Sequence, residues 1–108
     1  LYAKYKRGDE LNKSETKFIT PSREFLSSVY KFIKFNNGWN FGEEAFCIRA
    51  KCPLKNVATV LTSFDILTEL SLINKTDDGR YEFIELAKGE KVDLDSSKIL
   101  IELKRKGE

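Results

Sequence analysis

From Leu54 to Leu70 apolar side chains recur at Val57, Val60, Leu61, Phe64, Leu67 and Leu70. Offsets of 3, 4, 7 and 10 from Val57 place them on one helical face. This stripe, the longest in the chain, runs straight into two apolar runs separated by Asp77-Asp78-Gly79-Arg80. Asp-Gly between apolar runs is the strongest short-range hairpin signal, so residues 72–85 are expected as a two-stranded ribbon. A two-stranded ribbon is not stable alone, and a helix of this kind must bury its apolar face. Both need further helices from the same chain.

The remaining segments supply them. Thr20 suits an N-cap, Pro21 a first helical position, and Glu24 lies near the positive end of the dipole. Phe25, Val29, Phe32 and Ile33 follow at helical spacing, widened by Leu26 and Tyr30, and Asn36-Asn37-Gly38 stops the helix. The first helix is predicted over 21–36. Trp39-Asn40-Phe41-Gly42 reads as an extended link, with Phe41 and Phe46 in the core. Glu43-Glu44 opens a short second helix to about Ala50, with Ala45, Phe46 and Ile48 on its buried side. Pro53 breaks it, and a third helix runs over 54–71. Asp95 or Ser96 caps a last helix whose apolar face is Ile99, Leu100 and Leu103. Residues 1–7 alternate apolar and basic after residue 3, as a short strand does, and 8–17 read as a linker. Residues 1–19 are therefore expected as a linker and exit strand from a preceding domain, and 20–108 as the domain. The predicted class is α+β, mainly α: a winged helix-turn-helix-like arrangement of three helices, a β-hairpin and an additional C-terminal helix. At 108 residues there is room for one domain of ~100–200 residues.

The chain contains no histidine. Ser/His/Asp and Cys/His nucleophilic sites, the commonest neutral-pH general base and most catalytic zinc and manganese sites are thereby removed. The six glycines are dispersed and form no phosphate loop. Cys47 and Cys52 cannot complete a zinc site without further ligands, and their spacing is not CxxC. They read as reduced, partly buried small hydrophobes; a disulfide between them is feasible but not required by a chain this apolar. No apolar run approaches the ~18 residues of a membrane helix, and no signal-like segment opens the chain. The expectation is a cytoplasmic binding or interaction module without its own cofactor or metal, not an enzyme. A chain opening on Leu1 is expected to be a piece of something longer or a processed product.

Net charge is +2, but its distribution is uneven. Residues 1–55 hold 11 Lys/Arg against 6 Asp/Glu, and residues 56–108 hold 8 against 11. The outward positions of the third helix are expected to be Lys55, Asn56, Thr59, Thr62, Ser63, Asp65, Ile66 and Glu69, a poor set for reading duplex DNA. Only Lys55 and Asn56 suit base edges; the ribbon tip offers Lys75 and Arg80 beside two aspartates. A more diffuse surface is made by Arg23, Lys31, Lys34, Arg49, Lys51 and Lys55, which attract phosphate without order, although such lysines are more often a solvated face than a site. Tyr30, Phe35 and Trp39 lie among them and can stack on bases of a single strand. Tyr30 and Trp39 are more readily explained as core or core-edge aromatics.

Thr20-Pro21-Ser22-Arg23-Glu24-Phe25 followed by Val29-Tyr30-Lys31-Phe32-Ile33 resembles the start of the C-terminal domain of RecJ-type single-strand-specific 5′→3′ exonucleases of Gram-positive bacteria. Thr68–Ile73, Gly79-Arg80-Tyr81-Glu82 and Lys91–Ser97 are similar to the rest of that domain, so the resemblance covers roughly residues 20–100. It implies a non-catalytic accessory domain aiding single-stranded DNA binding in DNA repair and recombination. The family's manganese or magnesium chemistry, with its Asp-His-His signature, would lie in an upstream domain. The alternative is a protein-docking module, for the acidic tail of a single-strand-binding protein or for self-association. A free-standing winged-helix regulator is a third reading.

Overall fold

The computed structural model describes residues 1–36, 42–87 and 89–108. The helix stop at Asn37-Gly38 and the link through Trp39, Asn40 and Phe41 lie outside the described residues. Among the described residues six α-helices follow in order: α1 (Tyr2–Arg7), α2 (Lys13–Ile19), α3 (Arg23–Phe35), α4 (Glu43–Arg49), α5 (Val57–Glu69) and α6 (Lys98–Lys106). Strands β1 (Ile73–Lys75) and β2 (Tyr81–Phe83) stand between α5 and α6, and short 3-10 turns cover Leu54–Asn56 and Leu94–Ser96. The class is α+β, mainly α.

The ribbon forms as its turn chemistry demands. β1 and β2 pair antiparallel with Ile73 opposite Phe83 and Lys75 opposite Tyr81. Gly79 N–H donates to Thr76 O at 3.0 Å, and Gly79 then takes φ +81°, which a glycine adopts without penalty. Above the ribbon, Leu26, Val29, Tyr30 and Ile33 of α3 meet Phe46 of α4 and Phe64 of α5. Phe64 packs edge-on against Phe46 at 5.3 Å and tilted against Tyr81 at 4.5 Å, geometries that suit aromatic quadrupoles.

α5 is the axis of the molecule. Its stripe meets α3, α4 and the ribbon, while its opposite side meets α1, α2 and α6. The outward face expected for this helix is therefore largely inward: Thr59, Thr62, Ser63 and Ile66 are buried. The threonines fit there because they find acceptors. Thr59 Oγ1 donates to Phe18 O at 2.9 Å, and Thr62 Oγ1 to Ile19 O at 2.5 Å, satisfying carbonyls at the end of α2. Ile19, Ala58 and Leu103 form a second apolar cluster, lined by Tyr2, Tyr5 and Leu11.

The expected exit strand is thus a helix, and the expected linker is cut to residues 8–12: Tyr2–Arg7 and Lys13–Ile19 are two helices folded onto α5. The alternation in 1–7 is equally a helical spacing, with Tyr2 and Tyr5 one turn apart. Asn12 accepts from Glu15 N–H while Glu15 accepts from Asn12 N–H, a reciprocal capping box that starts α2 inside the expected linker. The N-caps also shift. α3 begins on Ser22, whose hydroxyl accepts from Phe25 N–H at 3.0 Å, not on Thr20, which closes α2. α6 begins on Ser97 instead of Asp95 or Ser96. On α4 the buried side is Glu43, Phe46 and Cys47; Ala45 and Ile48 face solvent.

No described helix is long and apolar enough to cross a membrane.

Candidate nucleic-acid interface

The nine basic or polar residues singled out from the sequence fall into three places. Arg23, Lys31 and Lys34 lie along the exposed side of α3. Arg23 and Lys31 line one shallow depression with Glu24, Ser27 and Ser28. Lys34 lines another, with Tyr30, Phe83, Glu85 and Leu86. Arg23 is engaged at 3.6 Å by Asp95. Phe35 follows Lys31 by one turn and is 83% exposed. Tyr30, by contrast, is buried against Phe83, a core aromatic. From Phe25 to Gly42 the sequence contains no acid.

Arg49, Lys51, Lys55 and Asn56 form the second place, the turn from α4 into α5. Here Cys52 N–H donates to Cys47 O at 2.8 Å and Lys51 N–H to Ile48 O at 3.4 Å. Lys51 has φ +57°, so the helix ends in a Schellman motif with a lysine in the left-handed position usually given to glycine. Ile48 and Leu54 stand out of this turn, 71% and 57% exposed.

Lys75 and Arg80, the third place, are held among acids. Arg80 pairs with Asp78 at 3.5 Å. Lys75 lies 5.9 Å from the Tyr81 ring centroid and lines a depression of about 440 Å³ with Tyr5, Lys6, Glu43 and Asp65. A further depression, about 770 Å³, lies between the α1–α2 link and α6, and none of the nine lines it.

Two polar constructions escaped the sequence reading. In the first, Glu43, only 8% exposed, accepts from Tyr2 and Tyr81 hydroxyls, each at 3.3 Å, while Tyr5 donates to Asp65 at 2.9 Å. Burial pushes the Asp65 carboxyl above its ordinary range, and the Tyr5 hydrogen bond and the Lys75 charge hold it back. Burial pushes the Tyr5 and Tyr81 phenols up as well, aided by Asp65 and Glu43 respectively. Each carboxylate is occupied by phenols, so the cluster ties α1 to α4, α5 and β2. The Tyr2/Tyr5 spacing was its signal. In the second, Glu69 at the end of α5 accepts from Lys98 N–H at 2.7 Å, the Ser97 hydroxyl at 2.8 Å and Ile99 N–H at 3.0 Å. A carboxylate from one helix thereby caps the N-terminus of another, where the dipole favours negative charge. Nothing local to Glu69 announces that role.

Among the described residues, no group of three or more His, Cys, Asp or Glu could hold a metal ion. No family model, curated protein or solved structure matches the chain.

Proposed function

We propose that the exposed side of α3 binds single-stranded nucleic acid without sequence preference, with phosphates on Lys31 and Lys34 and a base on Phe35. The observation that carries this is Phe35, a large aromatic left 83% exposed one turn from Lys31 and beside Lys34, in a run of sequence without acids, although Glu24 and Glu85 line the depressions of the two lysines. Every base has a π-face, so stacking tolerates any sequence and is worth ~1–3 kcal/mol per base. The order α3–α4–α5–ribbon supports a winged helix-turn-helix reading, with the ribbon as wing. In that frame α5 would be the recognition helix, yet α1, α2 and α6 cover its second side, which speaks against duplex-groove reading. The surface suits the accessory domain of a RecJ-type exonuclease, as the sequence resemblance implies: it would hold the substrate strand and leave hydrolysis to another domain.

A labelled single strand titrated with the chain at two salt concentrations tests this. Phe35→Ala should weaken binding by the stacking share, and Lys31→Ala should lower the salt slope by ~0.7. No binding at about 50 mM salt rejects the proposal. Protein docking is the second reading, favoured by Ile48 and Leu54 standing exposed beside Arg49, Lys51 and Lys55. Serine at both apolar positions would then abolish capture of an acidic tail peptide and leave strand binding unchanged.

A further inference from the structure

We propose that Cys47 and Cys52 form a reversible intramolecular disulfide, making the turn between α4 and α5 a redox modification site for a small disulfide of the glutathione type. The geometry comes from the helix end. In a Schellman motif the third residue from the helix C-terminus and the second residue beyond the C-cap are joined by a 6→1 hydrogen bond, and contact between their side chains frequently accompanies it. The bond from Cys52 N–H to Cys47 O, at 2.8 Å, assigns those two positions to the two cysteines. They are the only two in the chain. Both pack on the main apolar cluster, Cys47 buried within it and Cys52 partly buried against it. Any apolar pair would serve that packing; a cysteine pair there can also be cross-linked.

The two thiols are not equivalent. Cys47 is fully buried and Cys52 is partly open to solvent. Burial pushes the Cys47 thiol up to about 12, aided by Cys52, Glu44 and Glu43, so it does not react as an independent thiolate. Cys52 is therefore the entry point. Its sulfur, after losing its proton, attacks one sulfur of the small disulfide and releases one glutathione thiolate, which takes up a proton. The Cys47 sulfur then attacks the Cys52 sulfur and expels the second glutathione, which takes up the Cys47 proton as it leaves. Two protein thiols are oxidised to one disulfide and one glutathione disulfide is reduced to two thiols. The closed ring clasps Lys51 in its left-handed conformation and tethers the Leu54–Asn56 turn to α4.

The folded chain equilibrated across glutathione redox ratios, trapped with an alkylating agent and weighed intact, tests this. The wild type should lose both alkylatable thiols together and retain no glutathione. Cys47→Ser should stop at one glutathione held on Cys52, and Cys52→Ser should stay unmodified. The wild type alone decides the matter if either variant fails to fold. Accumulated glutathione adduct with Cys47 still alkylatable overturns the proposal. Disulfides only between chains, or two thiols that persist under oxidising ratios, overturn it equally.

Discussion

Glu69 does more for this fold than its place near the exposed end of a helix announces. Burial alone would raise its carboxyl, but the Ile99 and Lys98 amides and the Ser97 hydroxyl outweigh that, and it is held below the ordinary value of 4.5. A carboxylate with a depressed folded pKa contributes stability that is present above 4.5 and is lost as pH falls through the folded value. Glu69→Gln should cost about 1 kcal/mol in urea unfolding near neutral pH, discounted for its solvent exposure, and less in acid. Asp65 has the opposite sign. Its folded pKa is raised above 3.8, so the native state keeps its proton longer and stability falls as pH climbs from 3.8 through the folded value. The Tyr5 hydroxyl limits that loss. Tyr5→Phe should cost roughly 1–2 kcal/mol where Asp65 is ionised and less where it is neutral, as urea midpoints at neutral and acid pH would show. The partner of neither carboxylate was legible in the sequence, because each lies 28 or more positions away; the Tyr2/Tyr5 spacing shows only which side of α1 is anchored.

Among the helices, α1 and α5 are extremes. α1 has no buried residue and is anchored through Tyr2, Tyr5 and their two carboxylates. α5 is buried along nearly its whole length. Amide exchange should accordingly be fastest in α1 and slowest in the middle of α5, approaching the global unfolding limit there. Equal protection of the two would contradict the packing described. The amphipathic face of α3, the break at Pro53 and the Asp-Gly ribbon were readable because each is a local signal of period or backbone preference. The direction in which α5 faces was not. Its threonines and serine look polar in sequence, and they are interior because Phe18 and Ile19 carbonyls accept from Thr59 and Thr62. The Ser22 and Ser97 caps displaced nearby candidates for a similar reason, since several adjacent residues have the right chemistry and only the chain path selects one.

At the level of the whole molecule, two apolar clusters on opposite sides of α5 share one helix, so they should unfold together. Phe64 joins α4, α5 and the ribbon, and Phe64→Ala should cost about 3–5 kcal/mol, a large part of the ~5–15 kcal/mol expected of a domain. Denaturation followed separately by Tyr and by helical signal should remain coincident in the wild type. Eight of the nine candidate-interface residues carry positive charge, which sequence displays, and Asn56 has base-edge chemistry. Their grouping was not visible: Lys31, Lys34 and Phe35 share one side of α3, whereas Lys75 and Arg80 are held among acids. What the sequence determined alone was the set of amphipathic segments, the ribbon turn and the absence of histidine chemistry, because period, turn preference and composition act within a few residues. The tertiary structure decided which side of α5 is covered, that residues 2–7 and 13–19 are helical, and that Phe35 remains in solvent. Those outcomes depend on hydrogen bonds and packing between distant segments, whose free energy exists only once the chain has folded.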